Sequence, residues 1–369
     1  MLNWYEVLNI NELDSPALLV FPKRVKNNIQ LAIKMMGDVN RLRPHVKTHK
    51  SKEVSLLMMD AGIKKFKCAT IAEAEMLAQC KAPDVLLAYQ PIGPKLYRFI
   101  SLIKKYPETK FSCLVDNKAT MEEQASAFLN GGLTIPVYID LNIGMNRTGI
   151  APDKNALELY IYGTTRQGIS MAGLHAYDGH LRDMDIVIRK QKCDAAFEKV
   201  EELKKNLVKE GYRVSTIIAG GSPTFPIHAE RDSIECSPGT FVYWDKNYCE
   251  MCPEQKFQTA AVLLSRVISI PSTNMICLDL GHKSVAAENE INKRVSFLNA
   301  KGLIPVSQSE EHLVVETGAG HLFKPGQVLY GLPFHICPTV ALYDSVYTVE
   351  EGKLTGEWKN IARDRKLSV

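Results

Sequence analysis

The chain has 369 residues and a formal net charge of only +4, from 45 Lys plus Arg and 41 Asp plus Glu. Hydrophobic residues make up 46% of the chain and charged residues 23%, as is typical of globular proteins. These values exclude disorder, collagen and coiled coil as the bulk of the chain. The small surplus of positive charge does not indicate a nucleic-acid partner. The nine cysteines are scattered and odd in number, which is typical of reduced thiols, and no apolar run reaches the roughly 18 residues of a membrane span. We therefore expect a cytoplasmic protein without a membrane partner.

Short apolar runs alternate with longer amphipathic segments between residues 17 and 236. The runs predict strands at residues 17–21, 65–70, 84–89, 110–115, 135–141, 169–177, 214–219 and 233–236, and residues 40–45 are a further extended candidate. Helices are predicted at residues 24–36, 52–61, 71–79, 94–105, 118–129 and 186–209. This alternation implies a parallel sheet, because a parallel crossover needs a connection of helix length. The nine strand candidates are one more than an eight-stranded barrel needs, so one lies outside the barrel or one prediction is wrong.

The pattern changes after residue 236, where strand-like segments are separated by Pro, Gly and Asn clusters. These segments are residues 258–270, 275–280, 313–316, 327–332 and 340–349. They predict a mostly antiparallel β domain, with a boundary near Ser237-Pro238-Gly239. The predicted domains are an α/β barrel over residues 17–237 and a β domain made of residues 1–16 and 238–369.

The densest polar motif is Arg43-Pro44-His45-Val46-Lys47-Thr48-His49-Lys50. Pro44 favours extended geometry at the preceding residue, and an extended chain would place His45, Lys47 and His49 on one face. The C-terminal ends of barrel strands carry the chemistry of such folds, so this motif is a candidate site. A solvated basic loop is the competing interpretation of the same pattern.

Three further strands run into polar segments. They are Asp140-Leu141-Asn142-Ile143-Gly144-Met145-Asn146-Arg147, Gly173-Leu174-His175-Ala176-Tyr177-Asp178-Gly179-His180 and Gly220-Gly221-Ser222-Pro223-Thr224. An arginine there can hold an anionic oxygen by paired donors, and glycines after a strand let backbone N–H groups approach an anion. The segment that ends in Arg147 could equally be an Asx-type turn with a surface arginine, and Gly-Gly-Ser-Pro alone is more often a plain turn.

The last motif, His335-Ile336-Cys337-Pro338, would place an imidazole and a thiolate on one face if it lay on a strand. Pro338 would then end the strand pairing. A lone His-x-Cys is a weak metal motif, and a buried cysteine beside an incidental histidine is the competing interpretation.

Together these segments resemble the D-threonine aldolase and D-serine dehydratase family, the alanine-racemase-like class of pyridoxal phosphate enzymes. The resemblance runs from Leu13-Asp14-Ser15-Pro16 to His335-Ile336-Cys337, and the segment from Pro44 to Lys50 is its most specific part. It implies a (β/α)8 barrel of the alanine-racemase type followed by a β domain. It also implies a homodimer.

The resemblance implies that Lys47 forms the Schiff base with pyridoxal phosphate, that Arg147 meets the phenolic oxygen and that Tyr177 contacts the ring. Cationic neighbours such as His45 or His49 would favour the free amine that this bond requires. The implied phosphate-binding residues are Gly221, Ser222, Thr224, Gly239 and Thr240. His335 and Cys337 are the implied ligands of a divalent metal, with zinc favoured by the thiolate and manganese or magnesium as alternatives. His180 is a candidate catalytic base.

The implied substrate is a D-amino acid with a 3-hydroxyl group. An aldolase of this family cleaves it to glycine and an aldehyde, whereas a dehydratase yields a 2-keto acid and ammonia. The segments around Tyr177 and Gly221 resemble the aldolases, and His-x-Cys resembles the zinc-dependent dehydratases. An amino-acid racemase and a non-catalytic pyridoxal phosphate carrier are the remaining alternatives.

Overall fold

The structure, a computed structural model, describes residues 2–369 and divides into two compact units. We call them the barrel unit (residues 30–47, 55–239 and 364–369) and the β unit (residues 2–29, 48–54 and 240–363). Two of the boundaries between these units fall inside helices: residues 29 and 30 lie in α1 (Pro22–Met36), and residues 54 and 55 lie in α2 (Lys52–Asp60). Residues 17–29 and 48–54 thus group with the β unit, whereas the prediction placed them in a barrel over residues 17–237.

The barrel unit contains a parallel sheet of seven strands paired in chain order. The strands are β2 (Lys65–Cys68), β3 (Asp84–Leu87), β4 (Lys110–Val115), β5 (Ile135–Leu141), β6 (Ile169–Ala176), β7 (Thr216–Ala219) and β8 (Ile234–Cys236). The intervening helices are α3 (Ile71–Gln79), α4 (Pro94–Lys105), α5 (Lys118–Asn130), α6 (Lys154–Thr164), α7 (Ile186–Lys209) and α8 (Phe225–Ala229). The alternation of strand and helix predicted from the sequence is confirmed.

An extended segment at residues 42–46 joins the two edges of this sheet. Leu42 pairs in parallel with Cys236, the last residue of β8, and His45 pairs in parallel with Lys67 on β2. The backbone N–H groups of Arg43 and Val46 donate to the carbonyl oxygens of Cys236 and Lys67, at 2.9 Å each. The segment therefore supplies the eighth position of the barrel. Residues 40 and 41 of the extended candidate predicted at residues 40–45 lie instead in a short 3-10 helix, Val39–Arg41.

The β unit is built on a sheet of nine strands whose pairs are antiparallel except for one. The strands are β1 (Ala17–Val20), β9 (Ala261–Ser272), β10 (Met275–Leu278), β11 (Val295–Phe297), β12 (Ile304–Gln308), β13 (Leu313–Glu316), β14 (Val328–Pro333), β15 (Ser345–Glu350) and β16 (Lys353–Lys359). Strand β1 lies between β9 and β15, so it is the surplus candidate that lies outside the barrel. Its buried Leu19 packs with Val262 and Tyr330 in the core of this unit.

Two short helices complete the β unit, α9 (Lys246–Met251) and α10 (Ile336–Val340). Helix α10 corrects the prediction that His-x-Cys lies on a strand: β14 ends at Pro333, His335 caps the helix and Cys337 lies in its first turn. Pro338 is tolerated there because the first N–H groups of a helix have no partner within the helix. Among residues 2–369, no helix is long and apolar enough to cross a membrane.

Candidate functional site

A cavity of about 520 Å³ lies within the barrel unit, and three residues of the predicted cofactor site line it: Lys47, Arg147 and Tyr177. Lys47 follows the extended segment in a turn at residues 46–49, so the strand expected to continue to His49 is replaced by a turn. The backbone N–H of Lys47 donates to Nδ1 of His45 at 3.2 Å. This turn presents the half-buried Lys47 side chain to the cavity.

Three cationic side chains surround the ring of Tyr177. The ring centroid lies 5.8 Å from Nζ of Lys47, 5.3 Å from Nζ of Lys67 and 5.2 Å from Cζ of Arg147. Cations at this distance are attracted to the face of an aromatic ring. Their grouping gives the cavity a positive wall, which suits a ligand that carries anionic groups.

Burial determines which of the neighbouring groups are charged. It lowers the pKa of His49 to about 3, with a further contribution from Lys50, so His49 is not one of the cations expected beside Lys47. Burial also lowers the pKa of Lys67 to about 7, with Lys47 as the next cause. Sequence reasoning missed Lys67, although a lysine within the buried run Phe66-Lys67-Cys68 was a usable signal.

Asp140 and His175 form a buried pair in the same cavity. Nδ1 of His175 lies 2.7 Å from Oδ1 of Asp140, and the hydroxyl of Thr148 donates to Oδ2 at 2.8 Å. Burial acts to raise the pKa of Asp140, but these two hydrogen bonds outweigh it and hold the pKa below its usual value. The pKa of His175 is lowered, first by burial and then by Lys67, so its imidazole is neutral. Nε2 of His175 is buried and has no hydrogen-bond partner within residues 2–369.

The glycine loop after β7 is fixed by Asp178. Its Oδ1 accepts the backbone N–H of Gly221 at 3.2 Å and the hydroxyl of Thr224 at 2.7 Å, and its Oδ2 lies 2.8 Å from Nε2 of His228. Burial acts to raise the pKa of Asp178, but His228 and these hydrogen bonds hold it below its usual value. Gly221 packs closely on Tyr177, because a Cβ atom there would lie 3.1 Å from the ring and the ring would have to shift slightly.

Asp178, Cys193 and His228 lie close enough together to suggest a metal site. Sγ of Cys193 is 3.3 Å from Nε2 of His228 and 3.6 Å from Oδ2 of Asp178. However, Nε2 already pairs with Asp178, and Nδ1 faces the guanidinium of Arg231, which can only donate. A metal-bound imidazole normally donates its other N–H to an acceptor, so this cluster fits a hydrogen-bonded support of the loop better than a metal centre.

The His-x-Cys motif lies in the β unit beside two threonines and an acidic residue. Sγ of Cys337 is 3.1 Å from the hydroxyl of Thr48 and 3.7 Å from that of Thr240. Nδ1 of His335 pairs with the carboxylate of Glu288. Burial acts to lower the pKa of His335, but its contacts with Cys337 and Glu288 raise it to about 9.

These donors fit a metal ion, since nitrogen and sulfur ligands suit zinc and a carboxylate commonly orients a metal-bound histidine. Glu288 was missed, because it is 47 residues from His335 along the chain.

The remaining predicted residues are placed as follows. The imidazole of His180 packs against Gly144, in the loop that leads to Arg147. The contact is so close that a Cβ atom added at Gly144 would lie only 2.7 Å from Nε2 of His180. His180 does not belong to the cavity lining, and its role as a base stays a prediction. The buried Ser222 accepts the N–H of Gly239 at 3.4 Å, which brings two of the predicted phosphate-binding residues together.

Comparison with known proteins agrees with this architecture. The chain is 26% identical to a D-threonine aldolase of Arthrobacter sp over 360 residues, covering 95% of this chain and 93% of the relative. It is 21% identical to a D-serine dehydratase of Dictyostelium discoideum, covering 92% and 94%. The crystal structure of a D-threonine aldolase from Filomicrobium marinum superposes with a TM-score of 0.87 at 25% identity, covering 95% of this chain and 96% of that one.

Two family models match consecutive parts of the chain. A model described as a serine dehydratase domain matches residues 260–349. The model of the alanine racemase N-terminal domain matches residues 21–247, which is more than half of the chain and includes every strand of the barrel unit. The resemblance drawn from the motifs is therefore confirmed, and the chain belongs to the alanine racemase N-terminal domain family.

Proposed function

We propose that this protein is a pyridoxal phosphate-dependent lyase that cleaves D-3-hydroxy amino acids of the D-threonine type to glycine and an aldehyde. The observation that carries the proposal is the cavity in which Lys47, Arg147 and Tyr177 meet. A lysine amine, an arginine and an aromatic ring are the groups that an aldehyde cofactor with an anionic ring oxygen requires. The aldolases of Arthrobacter and Filomicrobium, similar over 95% of the chain, favour this reaction among the family's activities.

When bound, pyridoxal phosphate supplies an electron sink for the bonds at the α-carbon of an amino acid. In this proposal the Lys47 amine would hold the cofactor aldehyde. Arg147 holds the phenolic oxygen, and Tyr177 orients the ring. Asp178 accepts hydrogen bonds from Gly221 and Thr224 and so fixes the glycine loop, and Ser222 and Gly239 are the residues beside it that would hold the phosphate.

We propose that His335 and Cys337 bind a divalent metal, with Glu288 orienting His335 and Thr240 beside Cys337. A metal there would supply Lewis acidity. The thiol favours zinc over manganese or magnesium. This motif also supports the second candidate function, a D-serine or D-3-hydroxyaspartate dehydratase, because a serine dehydratase model matches residues 260–349.

Product analysis of the purified holoenzyme separates these functions. With D-threonine, glycine and acetaldehyde are expected for the aldolase, whereas 2-oxobutyrate and ammonia would identify the dehydratase. L-Threonine is the control for stereochemistry. A chelator should abolish turnover, and zinc or manganese should restore it; turnover that survives chelation and inverts D-alanine would instead indicate a racemase.

Variants test the assigned residues. Lys47→Ala should abolish the visible absorbance of the bound cofactor, and the exposed Lys95→Ala is the matched control. Cys337→Ser and His335→Ala should each lower the metal content per chain in elemental analysis. If Lys47→Ala leaves the absorbance and turnover unchanged, the proposed cofactor site is wrong.

We propose that two copies of the chain assemble as a homodimer. Exposed apolar side chains at Met184, Val187 and Ile188 support this arrangement, since their exposed fractions are 66%, 60% and 43%. Contiguous exposed apolar surface commonly marks a protein interface. Sedimentation equilibrium should give twice the chain mass of 41.3 kDa, and a monomer at all concentrations would contradict the proposal.

A further inference from the structure

Lys67 occupies an unusual position for a charged side chain. It lies on β2 with only 4% of its surface exposed, and it lines the cavity beside Lys47. Its backbone is fixed on both sides, because its N–H donates to Pro44 and its carbonyl oxygen accepts from Val46, at 2.9 Å each. Because the backbone is held, the Lys67 side chain can change its position only by changing its rotamer.

The ammonium of Lys67 makes no hydrogen bond or ion pair with any of residues 2–369. Its described contact is the ring of Tyr177, at 5.3 Å from the centroid. An ammonium group has three donors, and burying it without acceptors is costly. Lysines are almost never found buried unless they are paired, so this one is expected to meet a partner that enters the cavity.

The carboxylates that act on Lys67 electrostatically belong to Asp140 and Asp178. Asp140 is held by His175 and Thr148 on the neighbouring strand and loop. Asp178 is held by the glycine loop and by His228. Both acids therefore have other donors, and the positive groups Lys47 and Arg147 face Lys67 as well. A further acid of the cavity lining, Asp116, accepts the N–H of Gly149 at 3.0 Å, so the lining has more cationic side chains than acids without a donor.

We propose that Lys67 is the residue of this cavity that binds the carboxylate of the amino acid substrate. The proposal rests on the proposed function, which gives the cavity an amino acid ligand and assigns Arg147 to the phenolic oxygen of the cofactor. A carboxylate can accept two or more hydrogen bonds from an ammonium and would satisfy the donors that the protein leaves unpaired. The orphaned Nε2 of neutral His175 is an acceptor, so it does not compete for the same anion.

Binding of a carboxylate to Lys67 should also change the number of protons that the protein holds. Burial and Lys47 lower the pKa of Lys67 to about 7, so the amine is about half protonated at pH 7 before a ligand arrives. An anion in contact with the amine favours its charged form. Carboxylate binding should therefore take up about half a proton at pH 7.

Calorimetric titration of the holoenzyme with propionate tests the proposal, and propionamide is the matched neutral ligand. The wild-type protein should bind propionate at least tenfold more tightly than propionamide. Lys67→Met should remove most of this preference, Lys67→Arg should retain it, and the exposed Lys95→Met should leave it unchanged. Titrations in two buffers of different ionisation enthalpy should show proton uptake in the wild type and none in either Lys67 variant.

Kinetics supply a second readout if D-threonine is turned over. Lys67→Met should raise KM at least tenfold with kcat changed only a few-fold, because a uniformly bound carboxylate contributes equally in the ground and transition states. An unchanged preference for propionate in Lys67→Met would overturn the proposal. It would also be overturned if Lys67→Met weakened cofactor binding and left propionate binding intact, which would assign Lys67 to the cofactor. The calorimetric result does not require turnover, so it stands or fails independently of the proposed reaction.

Discussion

Lys67 lowers the stability of the folded protein, yet it lies in the candidate site. Lys67 is buried, partly charged at neutral pH and without a hydrogen-bonded partner in the described chain, and each of these conditions works against stability. Residues of this kind are characteristic of functional sites, where stability is given up for binding or catalysis. A substitution that removes the charge should therefore weaken binding and strengthen the fold.

We expect Lys67→Met to increase the free energy of unfolding, by an amount that depends on pH. The pKa of Lys67 is about 7 in the folded protein and 10.5 when unperturbed, so between these values the unfolded chain holds more protons. Stability of the wild type then rises with pH, by up to about 1.4 kcal/mol per pH unit from this group. The advantage of Lys67→Met should be largest below pH 7 and should shrink steadily toward pH 10.

Urea unfolding of both proteins at pH 6, 7, 8 and 9 measures this difference. Lys95→Met serves as the control, since its exposed side chain should give a difference of less than about 0.5 kcal/mol at every pH. A wild-type protein that is more stable than Lys67→Met at every pH would show that the lysine has a partner inside the fold.

At the scale of one element, the segment at residues 42–46 shows what closes the barrel. Within this segment, only Leu42 and His45 pair with strands. The side chain of Arg43 supplies further contacts that hold the segment in place. Arg43 is 1% exposed; its Nε lies 2.7 Å from Oε2 of Glu235 on β8, and one terminal nitrogen lies 2.5 Å from Oδ1 of Asp84 on β3. One guanidinium thus ties the closing segment to strands from both sides of the sheet.

We expect Arg43→Met to lower the free energy of unfolding by about 1–3 kcal/mol, because the buried Glu235 loses this partner and keeps only its ion pair with the partly exposed Lys65. Chemical denaturation followed by far-UV circular dichroism measures the loss. In the double variant Arg43→Met, Glu235→Met the loss should be smaller than in Arg43→Met alone, since no buried carboxylate remains there with part of its donors missing. A loss of less than 1 kcal/mol in the single variant would mean that the backbone pairs alone close the barrel.

Periodicity predicted most elements of the barrel unit but could not predict everything that positions the site. Helix α7 was predicted with its observed bounds, Ile186–Lys209, because a long amphipathic repeat is a local signal. The helix at His-x-Cys was missed, since five residues are too few to show a period. Asp178 was visible in its motif, but its role depends on partners 43 to 50 residues away, which no local pattern reveals.

At the scale of the whole molecule, the assignment of segments to units depends on pairings that span most of the chain. Strand β1 was predicted as a strand, yet its apolar pattern is equally suited to a barrel. Leu19 pairs with Val262 on one side and Tyr347 on the other, and these distant partners determine that β1 belongs to the β unit. Sequence therefore predicts the class of each element more reliably than the sheet that it joins.

The final residues of the chain show the same effect, because residues 364–369 belong to the barrel unit although they follow the β unit. There they meet Glu75 of α3, whose side chain is fully buried. Its Oε2 accepts the N–H groups of Ser368 at 3.1 Å and Val369 at 3.3 Å, and Oε1 accepts the hydroxyl of Tyr106 at 3.2 Å. Burial acts to raise the pKa of Glu75, but these hydrogen bonds outweigh it and lower the pKa.

We expect removal of residues 364–369 to lower the free energy of unfolding by about 1–3 kcal/mol at pH 7, because a buried carboxylate loses its backbone donors. A carboxyl group whose pKa is lowered by folding stabilises the protein above its unfolded pKa, here 4.5, and that contribution disappears as the pH falls through the folded value. The loss should therefore be largest at pH 7 and smaller at pH 4. In a Glu75→Gln background the same truncation should cost less at pH 7 and show no such pH dependence, since no charge remains to be satisfied. Equal losses in both backgrounds at both pH values would show that the tail stabilises the barrel unit by packing and not through Glu75.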